Sequence, residues 1–169
     1  HIVLVNTSHP GNIGSTARAM KTMGFKNLSL VSPKEFPSIK ADSLAVGCSD
    51  ILDKAKLFTD LPSAIEGSNI NIGLSARSRR ASRPSMSIKE CTTYRVNNDN
   101  ININLIFGNE SSGLSNEELL VCDYIVSLPT HNDYTSLNLS AAVQILTYEL
   151  YKSSNQTPDI NVKQIKPAS

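Results

Sequence analysis

Three clusters rich in Gly, Ser, Thr and Asn are the places where this sequence holds ionisable groups in loop-like surroundings. The first is Thr7-Ser-His-Pro-Gly-Asn-Ile-Gly14, with Arg18 on the segment behind it. The second lies in Leu105-Ile-Phe-Gly-Asn-Glu-Ser-Ser-Gly-Leu-Ser-Asn-Glu-Glu-Leu119, where the loop carries the carboxylate of Glu110. The third is Leu128-Pro-Thr-His-Asn-Asp-Tyr-Thr-Ser-Leu-Asn138. The second cluster reads as an apolar strand, a glycine-bounded loop and a helix start, the place where open α/β sheets hold ligands. Gly108 and Gly113 permit backbone conformations and close ligand approach that a Cβ would block. The spacing Gly108-xxxx-Gly113 is that of a P-loop, but Leu114 and Ser115 stand where Lys and Ser/Thr belong, so no ammonium is available for phosphates. Ser115 with Glu118 three residues on is a capping box, and a helix is expected just after it.

A fourth feature is the basic run Arg77, Arg79, Arg80 and Arg83 within Ser75-Ala-Arg-Ser-Arg-Arg-Ala-Ser-Arg83. Guanidinium forks match phosphate geometry, and such a run attracts a nucleic-acid backbone through counterion release. Tyr134, in the third cluster, offers a ring for base stacking or for packing. His1, His9 and His131 lack metal-ligand spacing, and no metal is expected.

The elements that must position these groups follow from hydrophobic pattern. Ile2–Val5 is an uninterrupted aliphatic run suited to a strand buried on both faces. A helix is expected over 13–23, with Ile13, Ala17, Met20 and Gly24 on one face and Arg18 on the other side. Strands are expected over 28–31, 56–58, 69–74, 102–107 and 123–128, and helices over 41–46 and 60–66. Residues 84–100 show no decisive pattern, and their Asn-rich end reads as loop. The final helix, 136–151, is apolar on nearly every side, which suits a core sandwich or a subunit interface. The alternation indicates an α/β fold with a largely parallel sheet.

The 169 residues suit one domain over 1–151, with 152–169 as a polar tail or linker stump. A net charge of +1 selects no partner by itself. Three widely spaced cysteines without CxxC suggest reduced thiols and a cytoplasmic setting. No apolar run approaches the roughly 20 residues of a membrane span. No signal peptide is visible, and the lack of an initiator Met is expected of a trimmed chain.

Taken together the clusters are recognisable. Asn12 with Arg18, Phe-Gly-Asn-Glu-Ser-Ser-Gly-Leu, and Tyr-Thr-Ser-Leu-Asn-Leu-Ser resemble the three motifs of SPOUT-superfamily RNA ribose 2′-O-methyltransferases. The wording Asn-Thr-Ser-His-Pro-Gly-Asn-Ile-Gly, with Ser-Ala-Arg-Ser-Arg between motifs, is similar to the TrmJ branch, which modifies tRNA. The resemblance covers residues 2–151. It implies an α/β-knot fold with a C-terminal trefoil knot, a homodimer, and S-adenosylmethionine as methyl donor. It places Leu74, Ser75, Ala76, Gly108, Leu128, Thr135, Ser136 and Leu137 against the donor, mostly through backbone groups. It makes Arg18 the catalytic arginine and Ser136 the serine near the reacting ribose. Asn12, Glu110 and Asn138 match further polar motif positions that hold the loops and Arg18 in place.

Residue chemistry bears on these roles. Positioning supplies much of the rate of a methyl displacement, and the ribose hydroxyl must lose a proton. Arginine, with a pKa above about 12, is a poor base, which favours Arg18 as an electrostatic clamp on an alkoxide or phosphate. A base role for Arg18 would need unusual desolvation or a phosphate relay. Glu110 is either a general base or a brace, and bracing is favoured. A relative acting on rRNA is the alternative within the superfamily. From another class comes a nucleotide-binding Rossmann-type oxidoreductase; yet the first turn offers only Gly11-x-x-Gly14, and no Asp or Glu closes the strand near Val31. A catalytically silent RNA-binding module is a third reading, and Arg18, Glu110, Ser136 and Asn138 count against it. TrmJ-like proteins usually carry a helical extension beyond the catalytic domain, and here only 152–169 remains.

Overall fold

The computed structural model describes residues 1–76, 83–133 and 136–155. The expectations for Arg77, Arg79, Arg80, Tyr134, Thr135 and the tail beyond 155 lie outside the described residues.

Seven parallel strands form one sheet: β1 (Ile2–Val5), β2 (Leu28–Val31), β3 (Lys56–Phe58), β4 (Ile70–Leu74), β5 (Ser85–Met86), β6 (Ile103–Phe107) and β7 (Tyr124–Val126). Their order is β3-β2-β1-β6-β4-β7-β5. The first three strands step outward from β1, as short right-handed α/β connections would have them. The chain then crosses over, and β6 slots between β1 and β4, in register Ile2 with Leu105 and Ile72 with Leu105. Similarly, β7 slots between β4 and β5. The carboxyl ends of β6, β4 and β7 therefore lie side by side.

Among the described residues seven helices flank this sheet: α1 (Pro10–Thr22), α2 (Ile39–Ala45), α3 (Ser49–Asp53), α4 (Leu61–Ile65), α5 (Ile88–Asn97), α6 (Asn116–Leu120) and α7 (Leu139–Ser154). Strand alternation sends Ile2, Leu4, Leu30, Leu105 and Phe107 into one core layer with Ile13, Ala17 and Met20 of α1 and Val143, Leu146 and Leu150 of α7. Val3, Val5, Val31 and Ile106 face the other layer, against Leu61 of α4 and Leu119 of α6. Each such aliphatic side chain, fully buried, contributes roughly 1.5–3 kcal/mol of transfer free energy.

The expected strands 2–5, 28–31 and 56–58 match, and those over 69–74, 102–107 and 123–128 shift by one or two residues. Three departures have local causes. Helix α1 begins at Pro10, earlier than its apolar pattern, because proline is already set for the first helical position. Residues 84–100, which carry no clear pattern, hold β5 and α5; α5 buries only Cys91 and Thr92, too narrow a stripe to read as amphipathic. Helix α7 starts at Leu139 with Asn138 as its cap and runs to Ser154, three residues past the domain boundary expected at 151. Gly24 ends α1 as expected, at φ +75°. Gly14 lets α2 lie directly on α1: a Cβ there would stand 2.0 Å from the Ala41 carbonyl oxygen. No described helix is long and apolar enough to cross a membrane.

Candidate active site

The loop after β6 is shaped by three local devices. A Cβ on Gly108 would stand 2.2 Å from both the Gly113 carbonyl carbon and the Leu114 nitrogen. Its lack of a side chain thus serves the chain's own return rather than approach by a ligand. Gly113 sits at φ +67°, where glycine is unstrained. Between them Asn109 accepts hydrogen bonds from the Ser111 N–H at 2.9 Å and its hydroxyl at 2.7 Å, and donates to the Asn6 carbonyl at 2.7 Å. The Ser115–Glu118 capping box then opens α6, with both of its hydrogen bonds formed.

Glu110 at the centre of this loop reaches the start of α1, 102 residues away in sequence. Its carboxylate accepts from the Ser8 N–H at 2.9 Å, the Ser8 hydroxyl at 3.1 Å, the His9 N–H at 2.8 Å and the Asn12 amide at 3.1 Å. Partial burial pushes its pKa up, but the hydrogen bonds from Ser8, His9 and Asn12 outweigh this and hold the carboxyl below its ordinary 4.5. His9, the residue preceding α1, offers no side-chain cap of its own. Glu110 fills that role from another element, placing negative charge where the helix dipole favours it.

The carboxyl ends of β4, β6 and β7 enclose a cavity of about 340 Å³, within the ~300–1,000 Å³ usual for small-molecule sites. Leu74, Ser75 and Ala76 line it from β4, the stretch from Phe107 to Leu114 from β6, Leu128 and Thr130 from beyond β7, and Ser136, Leu137, Leu139 and Ala142 from the start of α7. Seven of the eight residues expected around a methyl donor therefore share this one wall; the eighth, Thr135, is outside the described residues. Phe107, Asn109, Ser111, Ser112, Thr130, Leu139 and Ala142 also line it. Phe107, Asn109, Ser111, Ser112 and Leu139 stand inside the quoted motifs and Thr130 inside the third cluster, with no role assigned to them; Ala142 lies outside all of these. Glu110 is the sole charged side chain among the described lining residues. Apolar walls with backbone and hydroxyl groups suit a flat heterocycle and a polar tail. Asn138 points its amide oxygen at Ser140, capping α7, and so sets the path of 136–138 along the wall.

Arg18 does not line the cavity. It is exposed on α1 and makes no hydrogen bond or ion pair among the described residues. Asn12 also stands outside the lining, joined to it through Glu110. Arg83, the one described member of the basic run, donates to the Leu120 carbonyl at 2.6 Å and so binds the end of α6. His131 accepts from the Asp133 N–H at 3.2 Å. No group of His, Cys, Asp and Glu that could hold a metal occurs among the described residues. The cysteines are free and buried, and burial pushes the thiols of Cys91 and Cys122 up to about 11 and about 12. A larger open groove, about 990 Å³, lies at the amino ends of the strands, near Asn27, Asn102 and Arg95. It contains none of the motif residues.

Known proteins share both fold and motifs. The SpoU rRNA Methylase family matches over residues 1–148. The chain is 48% identical over 151 residues to the tRNA (cytidine/uridine/adenosine-2′-O-)-methyltransferase TrmJ of Pseudomonas aeruginosa (strain UCBPP-PA14), an alignment covering 88% of this chain and 59% of that protein. Among solved structures, a probable methylase family protein from Haemophilus influenzae Rd KW20 superposes with a TM-score of 0.86 at 42% identity, covering 90% of this chain and 65% of that one. TrmJ from Z. mobilis ZM4 superposes with a TM-score of 0.85 at 28% identity, over 94% of this chain and 71% of that one. The chain thus spans about three-fifths of the P. aeruginosa relative's length.

The Glu110 linkage predicts an acid-dependent stability. With a folded pKa below the unfolded one, the contribution is complete above pH 4.5 and is lost as pH falls through the lowered value. Glu110→Gln is expected to lower the melting temperature at neutral pH, with the gap to wild type narrowing as melts are run below pH 4.5. No gap at neutral pH, or one that widens on acidification, contradicts the linkage.

Proposed function

The chain belongs to the SpoU rRNA Methylase family, within the SPOUT superfamily of RNA methyltransferases, and on that premise we propose that it methylates a ribose 2′-hydroxyl of tRNA. One observation carries the reading: the residues expected against a methyl donor converge on one cavity at the sheet's carboxyl edge. The named activity of the P. aeruginosa relative supports tRNA over rRNA. Against a dinucleotide oxidoreductase stands Glu110, whose carboxylate holds the start of α1, where a pyrophosphate would otherwise sit.

S-adenosylmethionine, when bound, supplies an electrophilic methyl group. Leu74, Leu128 and Leu137 would pack its apolar surfaces, and backbone groups of 75–76, 108 and 135–137 would fix its polar ones. Ser136, which lines the cavity, lies near the reacting ribose in this reading. Arg18, without a partner among the described residues, clamps the alkoxide or the neighbouring phosphate by a charge-assisted fork. Glu110 serves as the brace: a carboxylate held below its ordinary pKa by several donors is a weak base near neutrality. Asn12 and Asn138 orient the two loops on either side of the ribose. A knotted path of the C-terminal segment and a cytoplasmic setting accompany this reading.

The active unit in this reading is a homodimer formed through α1 and α7. Helix α7 leaves Ile145, Tyr148 and Tyr151 exposed at 38%, 47% and 45%, and α1 packs beside it with Gln144 donating to the Thr22 hydroxyl at 3.2 Å. Three large side chains left in water on a helix whose other sides are buried support a covering partner.

Two outcomes test this. Arg18→Ala is expected to lower methyl transfer at least about 10²-fold, the effect of removing one preorganised charge partner, while calorimetry gives S-adenosylmethionine affinity within a few-fold of wild type. Binding lost together with activity would move Arg18 into the donor pocket. Sedimentation at micromolar concentration is expected to give twice the 18.3 kDa chain mass; a monomer throughout rules out the dimer.

A further inference from the structure

The segment between β2 and α2 belongs to none of the three motifs, yet it wraps the first of them. The Lys34 N–H donates to the Thr7 carbonyl at 3.0 Å, fixing one end of the segment to the loop that follows β1. Just past its other end, in the first turn of α2, the Lys40 stem lies along Gly11: a Cβ built on Gly11 would stand 3.6 Å from both Cγ and Cε of Lys40. Lys34 and Lys40 are both exposed, and neither ammonium has a hydrogen-bond or ion-pair partner among the described residues. Glu35 and Asp42 are exposed close by, yet neither pairs with them. Lys21 of α1, by contrast, is already spent on Asp50 at 3.0 Å.

Lys34 thus sits against the loop that leads into α1, and Lys40 shares a side of α1 with Arg18. Gly11, Gly14 and Arg18 recur at i, i+3 and i+7, one stripe of the helix, and α2 lies against that stripe at Gly11 and Gly14. Seven residues at 1.5 Å each put Arg18 about 10 Å along the helix from the Lys40 contact. The cavity itself holds one carboxylate and no cation among its described lining residues. Unpaired positive charge thus gathers outside the cavity, around the loop tied to it through Glu110. A ligand that meets both must carry distributed negative charge and reach from rim to cavity.

We propose that Lys34 and Lys40 contact backbone phosphates of the RNA strand flanking the ribose to be methylated. The proposal rests on the RNA-methyltransferase reading and names a contact that reading does not require. Lysine acts here as a point charge, so the contact positions the strand without reading its bases.

The test is tRNA affinity of the chain as a function of salt, for wild type and the Lys34→Ala/Lys40→Ala variant. The slope of log affinity against log salt is expected to shrink by up to about 1.4–1.8, from about 0.7–0.9 per phosphate contact, with S-adenosylmethionine affinity unchanged. The Lys34→Arg/Lys40→Arg variant is expected to keep the wild-type slope. A reduced slope in this variant too would trace the effect to α1–α2 packing and overturn the proposal. Lys34→Ala alone avoids the Gly11 contact and is expected to give about half the reduction, which keeps the test decisive if the double variant unfolds. An unchanged slope beside an active wild type overturns the lysine contact and leaves the enzymatic reading intact. A wild type that transfers no methyl, while the lysine variant still shows the reduced slope, sinks the enzymatic reading and leaves the contact standing.

Discussion

The arrangement depends on one carboxylate. Glu110 accepts from two backbone N–H groups, a hydroxyl and an amide, all drawn from five consecutive residues of a loop 98–102 positions away. A carboxylate suits this task because it only accepts, with about four lone-pair sites on two oxygens. The start of α1 needs it, since Pro10 has no N–H and the His9 side chain makes no cap. Charge-assisted hydrogen bonds of this kind are about twice as strong as neutral ones. Losing Glu110 would leave orphan donors at a helix start and reduce the hold between the two loops to the Asn109–Asn6 hydrogen bond. The same group is a helix cap, a brace and a wall of the cavity.

That constraint divides the site into two regions of opposite character. The cavity wall is built from strand ends and the α7 entry, and Gly108 and the Asn109 turn hold the β6 loop close upon itself. Its surface alternates leucine side chains with serine, threonine and backbone groups, with one negative charge among the described lining residues. The loop clamped from outside by Glu110 carries Asn12 and leads into the helix of Arg18, with Lys34 and Lys40 beyond. The sheet order brings these together: β6 lies next to β1, so the loop after one meets the loop after the other. Methyl transfer by positioning alone needs such a frame, because small displacements of a reacting group cost much of the rate.

Much of this was legible in the residues. Ile2–Val5 and Leu28–Val31 are strands because continuous aliphatic runs have few other stable uses, and Ser115 with Glu118 makes the capping box its spacing announces. Other parts were not. Helix α5 carries Ser87 and Glu90 in the same spacing, with Ser87 capping it, but its apolar face is too thin to stand out. The short helix α3 follows α2 through Val46 at φ +42° and Gly47 at φ +78°, a turn that residue types alone did not declare. Gly108 was read as room for a ligand, and its space is taken by the chain's own return at Gly113 and Leu114. The partners of Glu110 were beyond reach for a simpler reason: long-range pairing is set by strand order, and nothing in the local pattern says that β6 enters between β1 and β4.

The central claim is that the cavity and the loop held by Glu110 together deliver a methyl group to a ribose oxygen of tRNA. The most direct measurement incubates the chain with methyl-labelled S-adenosylmethionine and bulk tRNA, then digests the RNA to nucleosides and separates them. The account predicts label confined to 2′-O-methylated nucleosides. Label on a base, or tRNA left unlabelled while rRNA takes up the methyl group, would contradict it.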